Sequence, residues 1–574
     1  MQINGAPRCW KSSVSRWLKR VTFVAIAWAQ LGVMAAASDN SQQTSTAKPA
    51  VNGYVGNEAC AACHGPISES FSRTAHAHAS GPAGENLVTG EFTHQKSQVK
   101  YRVYSESGKV WMSFERPGDP LVQGRRELFY YIGQGRRGTT YLFSVDGYFF
   151  ETPINLYTSR HVWDMAPAYG NAHEIPMNLP ALTSCMDCHV SGIRPPIEGT
   201  ENRYAMPLFS YAGVTCERCH GPGESHVNAG KGAIVNPAKL APERRDQICM
   251  QCHLEGNAAI ERPGKHLYQY RPGDDLSDYV RYFVLTDSGK PGLRAASQFE
   301  ELAQSICKKK SGDAMSCTSC HDPHRAVSPD ERVAFYRSKC LACHGVQFGE
   351  KHHSNQPNCT QCHMPATSSS DIAHTAVTDH SIPRRPSAGP RLENATSSSL
   401  PQLVTFPYSK SGSDHDLRDL ALAWQSIVNS GMTMAEPEAE RLLRQVAVQS
   451  PDDPAVLAAL GYVEQQKGAN DKARELYRRA LALDPTLIDV ETNLGVLEAR
   501  SGQLSEAVRL WQDAFRRAPG RSSIGMNLAI AFCVSGQFND ARSYTMQVLQ
   551  FNPDLGSAKG LRKRLNADPP QCAP

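Results

Sequence analysis

The chain has 574 residues, too many for one hydrophobic core, so two to four domains are expected. Its formal charge of +4 supplies no basic field of the kind that recruits nucleic acid or an anionic membrane surface. With 43 Gly, 37 Pro and an ordinary aromatic fraction, the composition suggests a loop-rich protein rather than a disordered one, and its unusual feature is 18 Cys.

Residues 1–37 have the pattern of an export signal. Arg8, Lys11, Arg16, Lys19 and Arg20 precede an apolar run from Val21 to Val33, and Ala35, Ala36 and Ala37 offer a cleavage site before Ser38. An uncleaved anchor is the alternative, but the run is short for a span and contains Gln30. Loss of these five cations takes the formal charge from +4 to about −1. No later apolar run reaches spanning length, so the mature chain is expected in the periplasm, or otherwise exported, without a membrane span.

Residues 38–56 are polar and read as a flexible leader. Residues 57–385 hold every Cys pair, and within them a stretch at about 97–158 differs in character. Its aromatic and β-branched runs, broken by Gly-containing turns, predict a small antiparallel β insertion. Residues 386–416, rich in Ser, Pro and Gly, read as a linker. Beyond it the spacing becomes helical and repeats every 34 residues: Pro451, Pro485, Pro519 and Pro553 are in phase, as are Gly461 with Gly495, and Ala473 with Ala507 and Ala541. This period resembles the tetratricopeptide repeat, with units at 451–484, 485–518 and 519–552 and a degenerate one at about 417–450, so an α-solenoid is expected over 417–565. Tyr477 and Trp511 fill the bulky position of the repeat, where Thr545 departs from it.

Chemistry is concentrated in seven CxxCH motifs: Cys60, Cys63 and His64; Cys185, Cys188 and His189; Cys216, Cys219 and His220; Cys249, Cys252 and His253; Cys317, Cys320 and His321; Cys340, Cys343 and His344; and Cys359, Cys362 and His363. This spacing suits haem c, whose vinyl groups take the two thiols while the adjacent imidazole reaches the iron. Zinc or redox-active CxxC pairs do not require the His, and seven placements by chance would be on the order of 10⁻¹⁰. Seven covalently attached haems are therefore expected, with their faces replacing much of a conventional core. The longer stretch between His253 and His321 suggests two haem clusters.

Distal ligands must come from the remaining histidines. His226 and His324, just after motifs three and five, are expected to serve neighbouring haems. His374 and His380 rank with them, followed by His76 and His173; His353 competes with His352 for a further place. His78, His94, His161 and His266 rank lower, and His415 reads as solvated. Cys307 is expected as a free thiol. Cys533 falls at an apolar repeat position and reads as a core thiol, with a bond to Cys572 the less favoured alternative.

The strings CERCHGPGESH, CTSCHDPH, RSKCLACH, CTQCHMP, AHTAVTDHSI and YYIGQGRRGTTYLF resemble multihaem cytochromes of the cytochrome c554-like kind that carry tetratricopeptide repeats behind the haem domain. That resemblance implies stacked haem pairs, bis-His ligation and periplasmic electron transfer. No CxxCK occurs, and the motifs number seven rather than eight, so the specific activities of pentahaem nitrite reductases and hydroxylamine oxidoreductase are poorly supported.

The fold class expected is mainly α: a loop-rich haem domain with a small β insertion, then a solenoid. The leading function is electron transfer, with the repeats docking a redox partner protein. The alternative is an oxidoreductase acting on a small nitrogen or sulfur compound at one open haem, with Tyr157, Arg160 and His161 as possible proton donors better explained by packing or exposure.

Overall fold

The computed structural model describes residues 53–133, 138–158, 161–167, 169–286, 296–348, 356–368, 376–384, 400–406 and 415–572. The signal, most of the leader, Arg160, His352, His353 and His374 lie outside the described residues. The described end of the leader is not loose. Glu217, fully buried, accepts the N–H groups of Val55 and Gly56, and Tyr211 donates its hydroxyl to the Tyr54 carbonyl.

The β insertion is larger than the composition suggests, because its first strand lies before the aromatic runs begin. A seven-stranded antiparallel sheet comprises β1 (Ser80–Pro82), β2 (Gly90–His94), β3 (Val99–Glu106), β4 (Lys109–Arg116), β5 (Asp119–Ile132), β6 (Thr140–Val145) and β7 (Tyr148–Glu151). The order is β2-β3-β4-β5-β6-β7, with β1 completing the far end of β5. Period-two alternation puts Val99, Tyr101 and Val103 on one face with Met112, Phe114 and Phe143, a continuous core. On the other face, Leu142 and Phe149 pack with Met186 and Val190 from motif two and its surroundings.

The CxxCH motifs lie on or against short helices: Asn57–Phe71, Thr183–Met186, Glu217–His220, Pro242–His253, Cys317–Cys320, Arg332–His344 and Cys359–His363. A second sheet, in the order Ala258–Glu261, Val280–Thr286, Gln402–Thr405, corrects the linker reading. Residues 402–405 form an edge strand whose Leu403 is buried beneath the first solenoid helix, His415–Asn429. A Ser- and Pro-rich flank hides such a strand, because its pairing partner lies more than 100 residues earlier in the sequence.

The repeats form paired helices from His415–Asn429 to Phe538–Phe551, followed by Gly556–Leu565. A Cβ at Gly461 would overlap the Tyr477 ring, and one at Gly495 the Trp511 ring. Where Thr545 replaces the ring, Ala529 stands in the equivalent position, so the departure at Thr545 is compensated within its own repeat. Cys533 is buried but is not a free thiol: it is bonded to Cys572, which ties the C-terminal segment to the last repeat.

Both ends of the solenoid are fastened to the haem-binding half. At one end Asp419, fully buried, pairs with Arg262 and Arg418. At the other, Phe551 enters the core of the large sheet beside Phe150, and Tyr148 donates its hydroxyl to the Arg516 carbonyl. There Asp554, 1% exposed, accepts both terminal nitrogens of Arg116 and the Ile175 N–H, while Arg521 forks onto Glu201. Among the described residues no helix is long and apolar enough to cross a membrane.

Candidate haem centres

Four motif histidines each face a histidine from outside the motifs. His64 stands opposite His226 with ring centres 6.4 Å apart, and His253 opposite His76 at 6.1 Å. His220 faces His324 at 6.0 Å, and His321 faces His380 at 6.3 Å. Two imidazoles bound at about 2 Å on opposite sides of one metal have ring centres about 6 Å apart. These four gaps therefore fit an iron. In all four pairs the second histidine follows a different CxxCH motif from the one it faces.

Backbone and side-chain acceptors fix the rings. Nδ1 lies 2.9 Å from the Val235 carbonyl in His220, 2.8 Å from the Gly232 carbonyl in His226 and 3.0 Å from Gln298 Oε1 in His253. His363 and His380 make the same contact with the carbonyls of Pro383 and Thr378, each at 2.9 Å. With the proton held on Nδ1, Nε2 is left as the lone-pair donor, the tautomer that a metal requires. Burial, reinforced by neighbouring imidazoles, holds His76 and His321 down to about 4, so both imidazoles are neutral at ordinary pH.

Thiols from different motifs also lie close enough to perturb one another: Cys60 and Cys216, Cys188 and Cys252, Cys249 and Cys317, and Cys340 and Cys359. The proximity of Cys249 and Cys317 runs against the expectation of two separate clusters, because the chain returns after the long stretch and narrows that gap. Cys219 lies near Cys252 and Cys320 near Cys343, so the attachment sites form one contiguous network.

Other expected residues fall elsewhere. His173 is exposed in the seam beside the last repeat, its carbonyl accepting from Arg116, and among the described residues no motif histidine stacks on it. His94 is held by Ser97 and the Gly170 carbonyl, and His266 by Glu261. His344 stacks on Phe348. His189 is enclosed beside Gly133, and burial lowers its affinity for a proton. Cys307 remains a free thiol. The residues that sequence reasoning missed are the Nδ1 acceptors and a buried polar group formed by Asp187, Arg218 and Gln251; their only signal was polarity inside the motifs.

Comparison with known proteins gives matches in both halves. Residues 163–221 match the family model for cytochrome c554 and c-prime, and residues 435–488 match that for a tetratricopeptide repeat. The chain is 26% identical to the multiheme cytochrome MtrA of Shewanella baltica (strain OS185) over 193 residues, 29% of this chain and 54% of that protein. It is 25% identical to the dissimilatory sulfite reductase MccA of Wolinella succinogenes over 187 residues, 27% of this chain and 22% of that one. The chain thus spans about half the length of the first relative and about a fifth of the second. Similar solved structures include MamA, 18% identical with a TM-score of 0.22 over 24% of this chain and 78% of that one. Another is YrrB, described as a TPR protein with an unusual peptide-binding site, 17% identical with a TM-score of 0.23 over 25% and 74%. The attachment motifs and the matched segments together fit a multihaem cytochrome fused to C-terminal tetratricopeptide repeats, with residues 163–221 similar to cytochrome c554 and c-prime.

Proposed function

We propose that this chain is an exported electron-transfer protein that holds seven haems c, one at each CxxCH motif. The observation that carries this reading is the set of four imidazole pairs at 6.0–6.4 Å, each joining a motif histidine to one from another segment. When bound, haem supplies a one-electron redox centre at each motif. The protein's part is placement. Paired cysteines anchor each attachment edge, and His226, His76, His324 and His380 close the second side of four sites. His353 and His374 are proposed for two of the other three. The proximity of thiols from different motifs brings the attachment edges together, as a conducting network requires. The disulfide between Cys533 and Cys572 fits an oxidising compartment, and the repeats offer a redox partner protein the surfaces that the haem-binding half leaves free.

A second reading, an oxidoreductase acting on a small sulfur or nitrogen compound, is favoured by one observation. Among the described residues no imidazole from outside the motifs stacks opposite His189, which is half-buried beside Gly133. The sulfite reductase relative agrees with that chemistry over a short share of its length. Electron paramagnetic resonance of the oxidised protein, with haem counting by mass, separates the two. Seven haems with low-spin signals alone support the electron carrier. A high-spin signal that changes on adding sulfite or nitrite, and vanishes when the site at His189 is removed, supports the enzyme.

A further inference from the structure

In each motif one residue immediately precedes the second cysteine. In motifs one, five, six and seven it is Ala62, Ser319, Ala342 or Gln361, and all four are exposed. In motifs two, three and four it is Asp187, Arg218 or Gln251, only 2%, 6% and 2% exposed. These three interlock. Arg218 donates from a terminal guanidinium nitrogen to the Asp187 carbonyl at 2.9 Å, and Gln251 donates its amide to the Arg218 carbonyl at 3.3 Å. The guanidinium is also within electrostatic reach of the thiols of Cys188 and Cys252, which perturb one another. One buried cation thus sits where the attachment edges of three motifs converge.

A guanidinium remains charged at any ordinary pH, and in a dry interior its field is weakly screened. Adding one electron to a nearby iron lowers the positive charge there, so a fixed cation favours the reduced state. Resting on the haem reading above, we infer that Arg218 is a tuning residue that raises the potentials of the haems held by His189, His220 and His253, making this junction the electron-collecting point of the network. Asp187 supplies the carbonyl that orients the guanidinium, and its carboxylate can only oppose the effect.

The test is a spectroscopic redox titration of the haem-loaded full-length protein and of Arg218→Gln, Arg218→Lys and Asp187→Asn, each with its haems counted by mass. Arg218→Gln is expected to shift the reduced-to-oxidised ratio of up to three haems about tenfold towards oxidised at fixed potential, which is about 59 mV for one electron. Arg218→Lys, which loses the fork but keeps the charge, should stay within about threefold of the parent. Asp187→Asn should leave the midpoints unchanged or raise them. The inference is overturned by unchanged midpoints in Arg218→Gln with all haems attached, by a Lys variant that falls as far as the Gln variant, or by a fall in Asp187→Asn. Should Arg218→Gln fail to mature, a fall of about tenfold in Arg218→Lys with all haems attached, or any fall in Asp187→Asn, still overturns it. Absence of haem from the parent protein would instead defeat the functional reading itself.

Discussion

At the scale of single residues, position relative to a motif histidine sets the histidines proposed as distal ligands apart from the rest. His226 has its Nδ1 occupied by the Gly232 carbonyl and its ring parallel to that of His64, whereas His173 lies exposed in a seam with no such neighbour among the described residues. His226→Ala should therefore open one site without detaching a haem: the mass is unchanged by haem count, and one low-spin component converts to high spin. His173→Ala should leave the spectrum as it was. The CxxCH histidines were legible because covalent attachment imposes a fixed local spacing. The pairing of distal ligands was not, since His226 lies 162 residues from His64 and nothing local marks their meeting. Asp187, Arg218 and Gln251 were overlooked for a similar reason: a polar residue inside a motif looks solvated until three motifs close around it.

At the scale of elements, a turn glycine positions one of these ligands. Gly213 has φ +68°, and a Cβ there would overlap the Ala77 carbonyl, while the adjacent Val214 donates its N–H to the His76 carbonyl. Gly213→Ala should cost roughly 1–3 kcal/mol in urea unfolding. It should also displace His76 from His253, seen as a rise in high-spin signal. The repeats were the most legible elements, because a 34-residue period states helix, turn and packing partner together. The β insertion was legible where Tyr, Phe and Val alternate, but β1, of only three residues, carries too short a pattern to show. The strand Gln402–Thr405 was hidden because sheet pairing is non-local.

For the whole molecule, fastening at both ends makes the solenoid a brace across the haem-binding half. Its central contact is Asp554, which answers Arg116, Ile175 and Lys559 at once. Asp554→Ala leaves the partly buried Arg116 guanidinium short of its strongest partner and should cost about 3–5 kcal/mol. Limited proteolysis should then release the repeats from the remainder, whereas the parent resists. No sequence pattern announced this clamp. Its acids and bases are ordinary surface residues in their own segments, and become partners only when strand ends and repeat turns meet.

The exchange of histidines between segments also bears on biogenesis. A chain emerging from its N-terminus cannot close any of the four imidazole pairs until His226 has appeared, although His64 and His189 have already emerged. The pair of His253 with His76 can close next, then that of His220 with His324, and last that of His321 with His380. The order of emergence thus writes a timetable: the early motif histidines wait unpaired, and each later segment completes work begun before it.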